Sequence, residues 1–490
     1  MRSVLKNKYF LTLLCLLTLC VTFCLLTACD SGSTPADTTS QTVAPATDPV
    51  TEPPSEEPTE VPTEAPTEPA ATEPATAEPT AEPTVEETSE PETQPVGWEQ
   101  DTGVFNDGKV DYVKAEDGTV TATPREGYTL GLDITHKTDV IGICYSVWFD
   151  YILGSGTAPV TDWHNITEVL EGKRGWGPSP AFHYWAKPAQ GYYRSSDKTA
   201  IRNNMTMLYT AGVDFIILDH TNLHNGYLDN SDLKKRMIDD PMIALFDTIL
   251  EMRAEGLGTP YVVVWCGDND GRTYRYLYDS FYNQEKWKDC FVYWDGLPLL
   301  LTTHIRPEGF PLKDEGLYTV RSMWGLGVDF AGGQWSYLNP SINNCVTYAP
   351  DGTPEHVGVA TASQKNYMGI GTADNMGPGD AVGRRQGMTW YVQWYYAFKM
   401  RPKIVTLTWW NEWTAQRLSI GGGQFAFTDN FNVEYSRDIE PMEGGHGDQY
   451  YKWLIRYISA YKGHLECPVL VEEGMEESAI TLRKRTFKER

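Results

Sequence analysis

Basic residues are scarce in this chain: 40 Lys and Arg stand against 66 Asp and Glu, a formal net charge of −26 at neutral pH. Nucleic acid and anionic lipid are both bound through basic patches, so this balance argues against either as the main partner. Cysteine is equally uninformative about metals or cross-links. Of nine, Cys15, Cys20, Cys24 and Cys29 fall in the first 29 residues, leaving Cys144, Cys266, Cys290, Cys345 and Cys467. That number is odd, and no close Cys/His spacing suggests zinc, so buried reduced thiols are expected and no metal or cofactor is. No Gly-rich phosphate loop follows the first apolar strand, which removes the signature of a dinucleotide-binding sheet.

What is present begins with a secretion signal. Arg2, Lys6 and Lys8 form a charged head, a Leu-rich run covers 9–26, and small residues precede Cys29; this is the order of an exported leader. The run of about 18 apolar residues reaches the lower limit for a membrane span, but Leu26-Thr27-Ala28-Cys29 resembles the bacterial lipobox, in which cleavage precedes a lipid-modified cysteine. Residues 1–29 are therefore expected to be a lipoprotein signal with Cys29 the lipidated residue, placing the protein on the outer face of a bacterial membrane.

Residues 30–96 repeat Thr-Glu-Pro and Ala-Glu-Pro units, with 14 of the 31 prolines, 16 carboxylates and no Lys or Arg. Such a segment has little apolar surface to offset its ordering entropy, and proline stiffness and charge repulsion keep it extended. It is expected to be a disordered spacer that lifts the rest of the chain off the membrane. With +3 in the leader and −16 in the spacer, residues 97–490 carry the remaining −13 and are expected to form one monomeric globular domain.

In that domain apolar strand-like runs alternate with amphipathic helical ones. Strands are expected at 141–147, 181–185, 213–218, 261–266, 291–294, 318–324, 356–362 and 404–410, and helices at 198–211, 240–255, 273–284, 385–400 and 448–461. Eight strands in this rhythm point to an α/β fold, specifically a (β/α)8 barrel with enlarged loops.

A barrel's active site lies where its strands end, so the residues just past each apolar run are the candidates. They are Tyr145, His183, Trp185, Asp219, His220, Asn222, Trp265, Asp268, Trp294, Trp324, and finally Trp409-Trp410-Asn411-Glu412-Trp413. Aromatic faces stack on the C–H faces of sugar rings while amides, carboxylates and imidazoles bind hydroxyls, which makes carbohydrate the natural ligand class. Glycosidic bonds are commonly cleaved by two carboxyl groups, one protonating the leaving oxygen and the other acting as nucleophile or base. Glu412 is the first candidate, because it follows the most apolar strand and is wrapped by tryptophans that would raise its pKa. It could alternatively form a structural ion pair with Arg384, Arg385 or Arg417. For the partner, Asp219 leads and Asp268 follows. Asp219 could instead cap a helix, and the Asp268-Asn269-Asp270 loop could cap one or hold calcium. The charge-dense loop 434–448 reads as structural, with Asp448 an N-cap for the last helix.

The Arg401-Pro402 step followed by 404–413 resembles a late segment of the endo-mannosidase-like glycoside hydrolases of families 71 and 99, where a strand ends in Asn-Glu-Trp-His-Glu-Gly. The helix-strand unit 197–222 is similar to an early unit of the same families. The resemblance implies a barrel fold and glycoside hydrolysis, with Asn411 and Glu412 on the motif's Asn and first Glu. The motif's second Glu falls on Ala415. That departure leaves a non-catalytic glycan-binding protein on a degenerate barrel as the other reading.

Overall fold

The computed structural model describes residues 108–152, 165–177, 182–221, 225–267, 271–303, 310–325, 334–339, 346–364, 367–372 and 375–470. The expected leader and spacer lie outside them. Among the described residues no helix is long and apolar enough to cross a membrane.

Eight parallel strands carry the fold: β1 (Val140–Tyr145), β2 (Phe215–His220), β3 (Tyr261–Cys266), β4 (Leu297–Thr302), β5 (Thr319–Gly325), β6 (Trp335–Ser336), β7 (Pro354–Ala360) and β8 (Ile404–Thr408). They neighbour one another in chain order, and β8 returns to pair with β1 through Ile404 opposite Val140. Parallel backbone ladders join seven of the eight seams. The eighth, between β6 and β7, is bridged by side chains instead. Ser336 Oγ accepts from Gly358 N at 2.8 Å, Trp335 Nε1 donates to Glu355 Oε1 at 2.7 Å, and the Trp335 ring stacks on His356 at 4.4 Å. A Cβ on Gly358 would sit 2.7 Å from the Ser336 carbonyl oxygen, so this approach requires glycine. The backbone edge of β7 is occupied by an antiparallel strand, Val346–Tyr348, which makes the sheet mixed.

The two-residue period of a strand sorts side chains into two layers. Val140, Cys144, Phe215, Ile217, Val263, Trp265, Leu299, Leu301, Met323 and Trp335 form one interior cluster. Ile141, Ile143, Ile216, Leu218, Val262 and Val264 face the other way, into the layer shared with the helices. Asp219 has the parity of Phe215 and Ile217, so it points inward at the strand's end.

Among the described residues the α-helices of six residues or more are α1 (Lys198–Thr210), α2 (Asp240–Ala254), α3 (Arg272–Leu277), α4 (Met388–Met400) and α5 (Gln449–Lys462). Asp197 caps α1 by accepting from Thr199 N and Ala200 N, and Ala200, Ile201, Met205 and Leu208 form its buried face. The helix ends where Gly212, at φ +85°, lets Gly212 N reach Tyr209 O and Val213 N reach Leu208 O. This paired closure turns the chain directly into β2. Asp448 stands at the N-cap of α5 as expected, but its side chain makes no capping hydrogen bond and pairs with Lys452 at 3.1 Å.

The expected closed barrel is not complete among the described residues, since β6 and β7 share no backbone ladder; six of the expected strands stand in the parallel run of this mixed sheet and two do not. The 181–185 run forms Phe182–Tyr184, which pairs antiparallel with Thr414–Gly421 in a separate five-stranded sheet. The 291–294 run is the short strand Val292–Trp294, half of a hairpin whose other half is β4. Asp295 and Gly296 both have positive φ, the conformation that a two-residue Asp-Gly hairpin favours. Strand β6 takes the remaining place.

Candidate functional site

The site is built where β8 and β2, the two neighbours of β1, run out. Beyond β8 the Trp409 ring joins the interior cluster and Trp410 turns outward; the Thr408–Trp409 peptide is cis. Asn411 then ties this turn to the end of β1, accepting from Ser146 N at 2.7 Å and donating to Ser146 O at 3.2 Å. Glu412 follows, buried.

Glu412 is held by residues that arrive 18 to 25 positions later. The chain leaves through Thr414–Gly421, returns through the strand Gln424–Phe427, and brings Asp429, Asn430 and Arg437 alongside. Arg437 donates from Nε and Nη2 to Glu412 Oε2 at 2.9 and 2.7 Å. Asn430 Nδ2 donates to the same oxygen at 3.2 Å and to the Glu412 carbonyl at 2.6 Å. Arg437 Nη2 also reaches Asp429 Oδ1 at 3.1 Å. The guanidinium lies over Trp409 and Tyr337, 5.2 and 5.7 Å from the ring centres. Trp409 Nε1 donates to Tyr337 OH at 3.0 Å, and Trp265 meets the Tyr337 ring edge-on at 4.6 Å. These rings form the floor of the site.

Asp219 faces the same space. Its Oδ1 accepts from Thr221 N at 2.8 Å, a local turn rather than the helix cap that was the alternative, and its carbonyl accepts from Trp148 Nε1 at 2.7 Å. Burial pushes its pKa up to about 6, with the Thr221 hydrogen bonds opposing and the Asp429 charge adding to the rise. Burial also pushes Glu412 well above the ordinary glutamate range. Arg437 pulls it back, while Asp429, Asp438 and Asp219 push it further up. Both carboxyls thus hold protons more tightly than they would in water, and the Asp219 charge adds to the rise at Glu412.

A stability consequence follows. The folded-state pKa of Asp219 lies above the unfolded value of 3.8, so its ionisation costs nothing below that value and destabilises the fold as pH rises through about 6. At 1.36 kcal/mol per pKa unit the cost reaches about 3 kcal/mol. Asp219→Asn keeps the acceptor for Thr221 and removes the charge, so the variant should be more stable than the wild type at pH 7.5 and nearly equal to it at pH 4. Urea unfolding at the two pH values measures this; equal pH dependence in both proteins would contradict it.

The other expected site residues are distributed more widely than a mouth requires. Trp265 lines the floor. Trp185 is beside the site, its Nε1 donating to Glu412 O at 3.1 Å and Asp438 Oδ2 at 3.0 Å. Asn411 is buried and structural in position. Tyr145 has outward parity, and its hydroxyl accepts from Asn204 on α1 at 3.1 Å. Trp410 packs edge-on against Tyr451 of α5 at 5.9 Å, also outside the ring. His183 is buried in the five-stranded sheet with its Nε2 2.6 Å from Trp176 O. Trp294 closes the opposite end of the ring: its carbonyl accepts from Thr319 at the start of β5, and Arg321 and Lys403 lie over its ring. His220 is fully buried in the strand, and desolvation lowers its pKa to about 3, so it is neutral. Asn222, Asp268 and the Trp324 side chain lie outside the described residues. Among the described residues no group of three His, Cys, Asp or Glu is placed to hold a metal.

Glu412 does form an ion pair, but with none of the three arginines expected. Its partner Arg437 comes from the 434–448 loop that read as structural. Arg437 carried no local signal beyond the density of charge in that loop, and Asp429 and Asn430, which precede it, carried none.

No protein-family model matches the chain, and no curated protein does. Among solved structures it is similar to the GH99 endo-alpha-mannosidase from Bacteroides thetaiotaomicron, at 13% identity over 66% of this chain and 98% of that one, with a TM-score of 0.42. The same enzyme in complex with bis-tris-propane matches at 13% identity over 66% and 98%, TM-score 0.40. A glycoside hydrolase-like protein matches at 14% identity over 68% and 97%, TM-score 0.38.

Proposed function

We propose that this chain is a glycoside hydrolase on a (β/α)8 barrel, cleaving a poly- or oligosaccharide with Glu412 and Asp219 as its two carboxyl groups. The observation that supports this reading is the pair itself: two buried carboxyls with raised pKa values, on an aromatic floor, from strands that flank β1 on either side. Strands two apart are separated by about 10 Å between axes. A structural carboxylate needs only its ion pair. A pair divided between two strand ends is what hydrolysis of a glycosidic bond uses.

The roles follow from the surroundings. Glu412 is the acid. Its Oε2 is occupied by Arg437 and Asn430, which directs the carboxyl proton to Oε1, and Arg437 stabilises the carboxylate left once that proton has passed to the leaving oxygen. Asp219, ionised above about pH 6, is the nucleophile or base. A reducing-end assay of residues 97–490 against mannans, glucans and host glycans tests the reading; glycan binding with no cleavage of any of them would move the protein to the non-catalytic alternative.

The protein is further proposed to act at the cell surface through a lipid on Cys29. Cys29→Ser should abolish incorporation of a fatty-acid probe during growth. Undiminished labelling would sink the anchor.

A further inference from the structure

Below Asn411 lies a buried polar relay that the two-carboxyl chemistry does not use. Arg437, Asp438, Ile439 and Glu440 run beside the end of β8, with Trp409 N donating to Arg437 O at 2.8 Å and Glu440 N donating to Trp410 O at 2.8 Å. This places the Glu440 carboxyl under the site, buried. Tyr193 OH donates to Glu440 Oε2 at 2.9 Å, and Gln190 Nε2 donates to Glu440 Oε1 at 2.6 Å. The same Tyr193 oxygen accepts from Asn411 Nδ2 at 3.1 Å and from Asn204 Nδ2 at 3.3 Å. A phenol has one proton to give and two lone pairs to offer. With its proton committed to Glu440, both lone pairs face the two amides, and Tyr193 is completely used.

We propose that Glu440 and Tyr193 are positioning residues for the reaction: Glu440 fixes the direction of the Tyr193 hydroxyl, Tyr193 fixes the Asn411 side chain, and Asn411 fixes the turn that presents Glu412. The catalytic half rests on the glycosidase reading; the positioning half does not. A buried carboxyl is costly to keep without a cation. Among the described residues Glu440 meets two donors, both neutral, and burial raises its pKa to about 8. A Leu would fill the space at lower cost if packing were the only need. What Glu440 supplies is an acceptor that holds the Tyr193 proton away from Asn411. Asn411 in turn has one other anchor, the backbone of Ser146, so the relay joins β8, β1 and the segment before α1 at one point beside Glu412.

Tyr193→Phe tests this with minimal disturbance, because the ring keeps its edge-on contacts with Phe149 at 5.5 Å and Trp413 at 5.8 Å and loses only the hydroxyl. Two readouts are taken on the folded domain. The first is hydrogen exchange of the Ser146 amide, which donates to Asn411 Oδ1; it should accelerate at least about tenfold in the variant. The second is kcat, expected to fall by about 10- to 100-fold with KM within a factor of about three, because a misplaced acid weakens the transition state more than the bound substrate. Glu440→Leu should reproduce both effects, and Glu440→Gln, which retains an acceptor for Tyr193, should recover most of the loss in each. Unchanged Ser146 exchange would overturn the relay. Faster exchange with unchanged kcat would overturn its catalytic role. Should the wild type cleave no glycan, the glycosidase reading fails, and the exchange data still decide whether the relay holds Asn411.

Discussion

Glu412→Gln should lower glycan turnover by about three orders of magnitude while leaving sugar affinity within a few-fold of wild type. The amide preserves the size of the side chain and keeps an acceptor for Arg437 and Asn430, so the site stays assembled; it cannot donate a proton to a leaving oxygen. Asp219→Asn should cost as much for the complementary reason, since the amide neither attacks nor activates water. The pH profile separates the two. In the wild type kcat/KM should rise with pH through about 6 as Asp219 ionises, then fall at higher pH as Glu412 loses its proton. In Glu412→Gln the residual activity should keep the acid limb and lose the alkaline one. The measurements are steady-state kinetics across pH and calorimetric titration with the cleaved glycan. Wild-type turnover in Glu412→Gln would remove it from the mechanism, and an acid limb surviving in Asp219→Asn would assign that limb elsewhere.

Arg437→Met should be the most destabilising single change at the site. The guanidinium is buried, donates twice to Glu412 and once to Asp429, and is held firmly protonated by those carboxylates despite its desolvation. Removing one partner of a buried pair leaves an uncompensated group and typically costs about 3–5 kcal/mol. Above the alkaline limb, where Glu412 is ionised, the expected loss should shrink by more than about 1 kcal/mol in a Glu412→Gln background, because the amide has no charge for the cation to compensate. Urea denaturation of the four proteins closes the cycle. Additive costs would show that Arg437 stabilises the fold through its rings and Asp429 alone. In the single variant Glu412 loses the group that pulls its pKa down, so the alkaline limb should move to higher pH as kcat falls.

Much of the fold was legible because burial writes itself into local patterns. The run Phe215-Ile216-Ile217-Leu218 between the helix closure at Gly212 and the acid Asp219 specifies a parallel strand with a polar end, and the two-residue period alone sends Asp219 inward. Ile404 to Thr408 behaves in the same way ahead of Glu412. Where the pattern misled, two elements had similar composition and different neighbours. The 181–185 run is apolar enough for a ring strand, yet its hydrogen-bonding partner is Thr414–Gly421. In 291–294 the Asp295-Gly296 turn marked a hairpin, with the ring strand following it.

The sequence by itself determined the acidic balance, the βα alternation, the inward carboxyl at Asp219 and the prominence of Glu412 among tryptophans, since each depends on composition or on spacing within a few residues. Tertiary structure alone decided which aromatic rings reach the site and what surrounds Glu412. Tyr145 faces the helices through parity, Trp294 lies at the far end through strand polarity, and Trp410 faces the helices because the two-residue alternation of β8 breaks after Thr408. Arg437, Asp429 and Asn430 meet Glu412 only because an excursion through two strands brings the chain back upon itself, and Glu440 meets Asn411 only through a tyrosine more than 200 positions away. Contacts closed across such distances depend on where folded elements lie in space, and no local spacing in the chain encodes them.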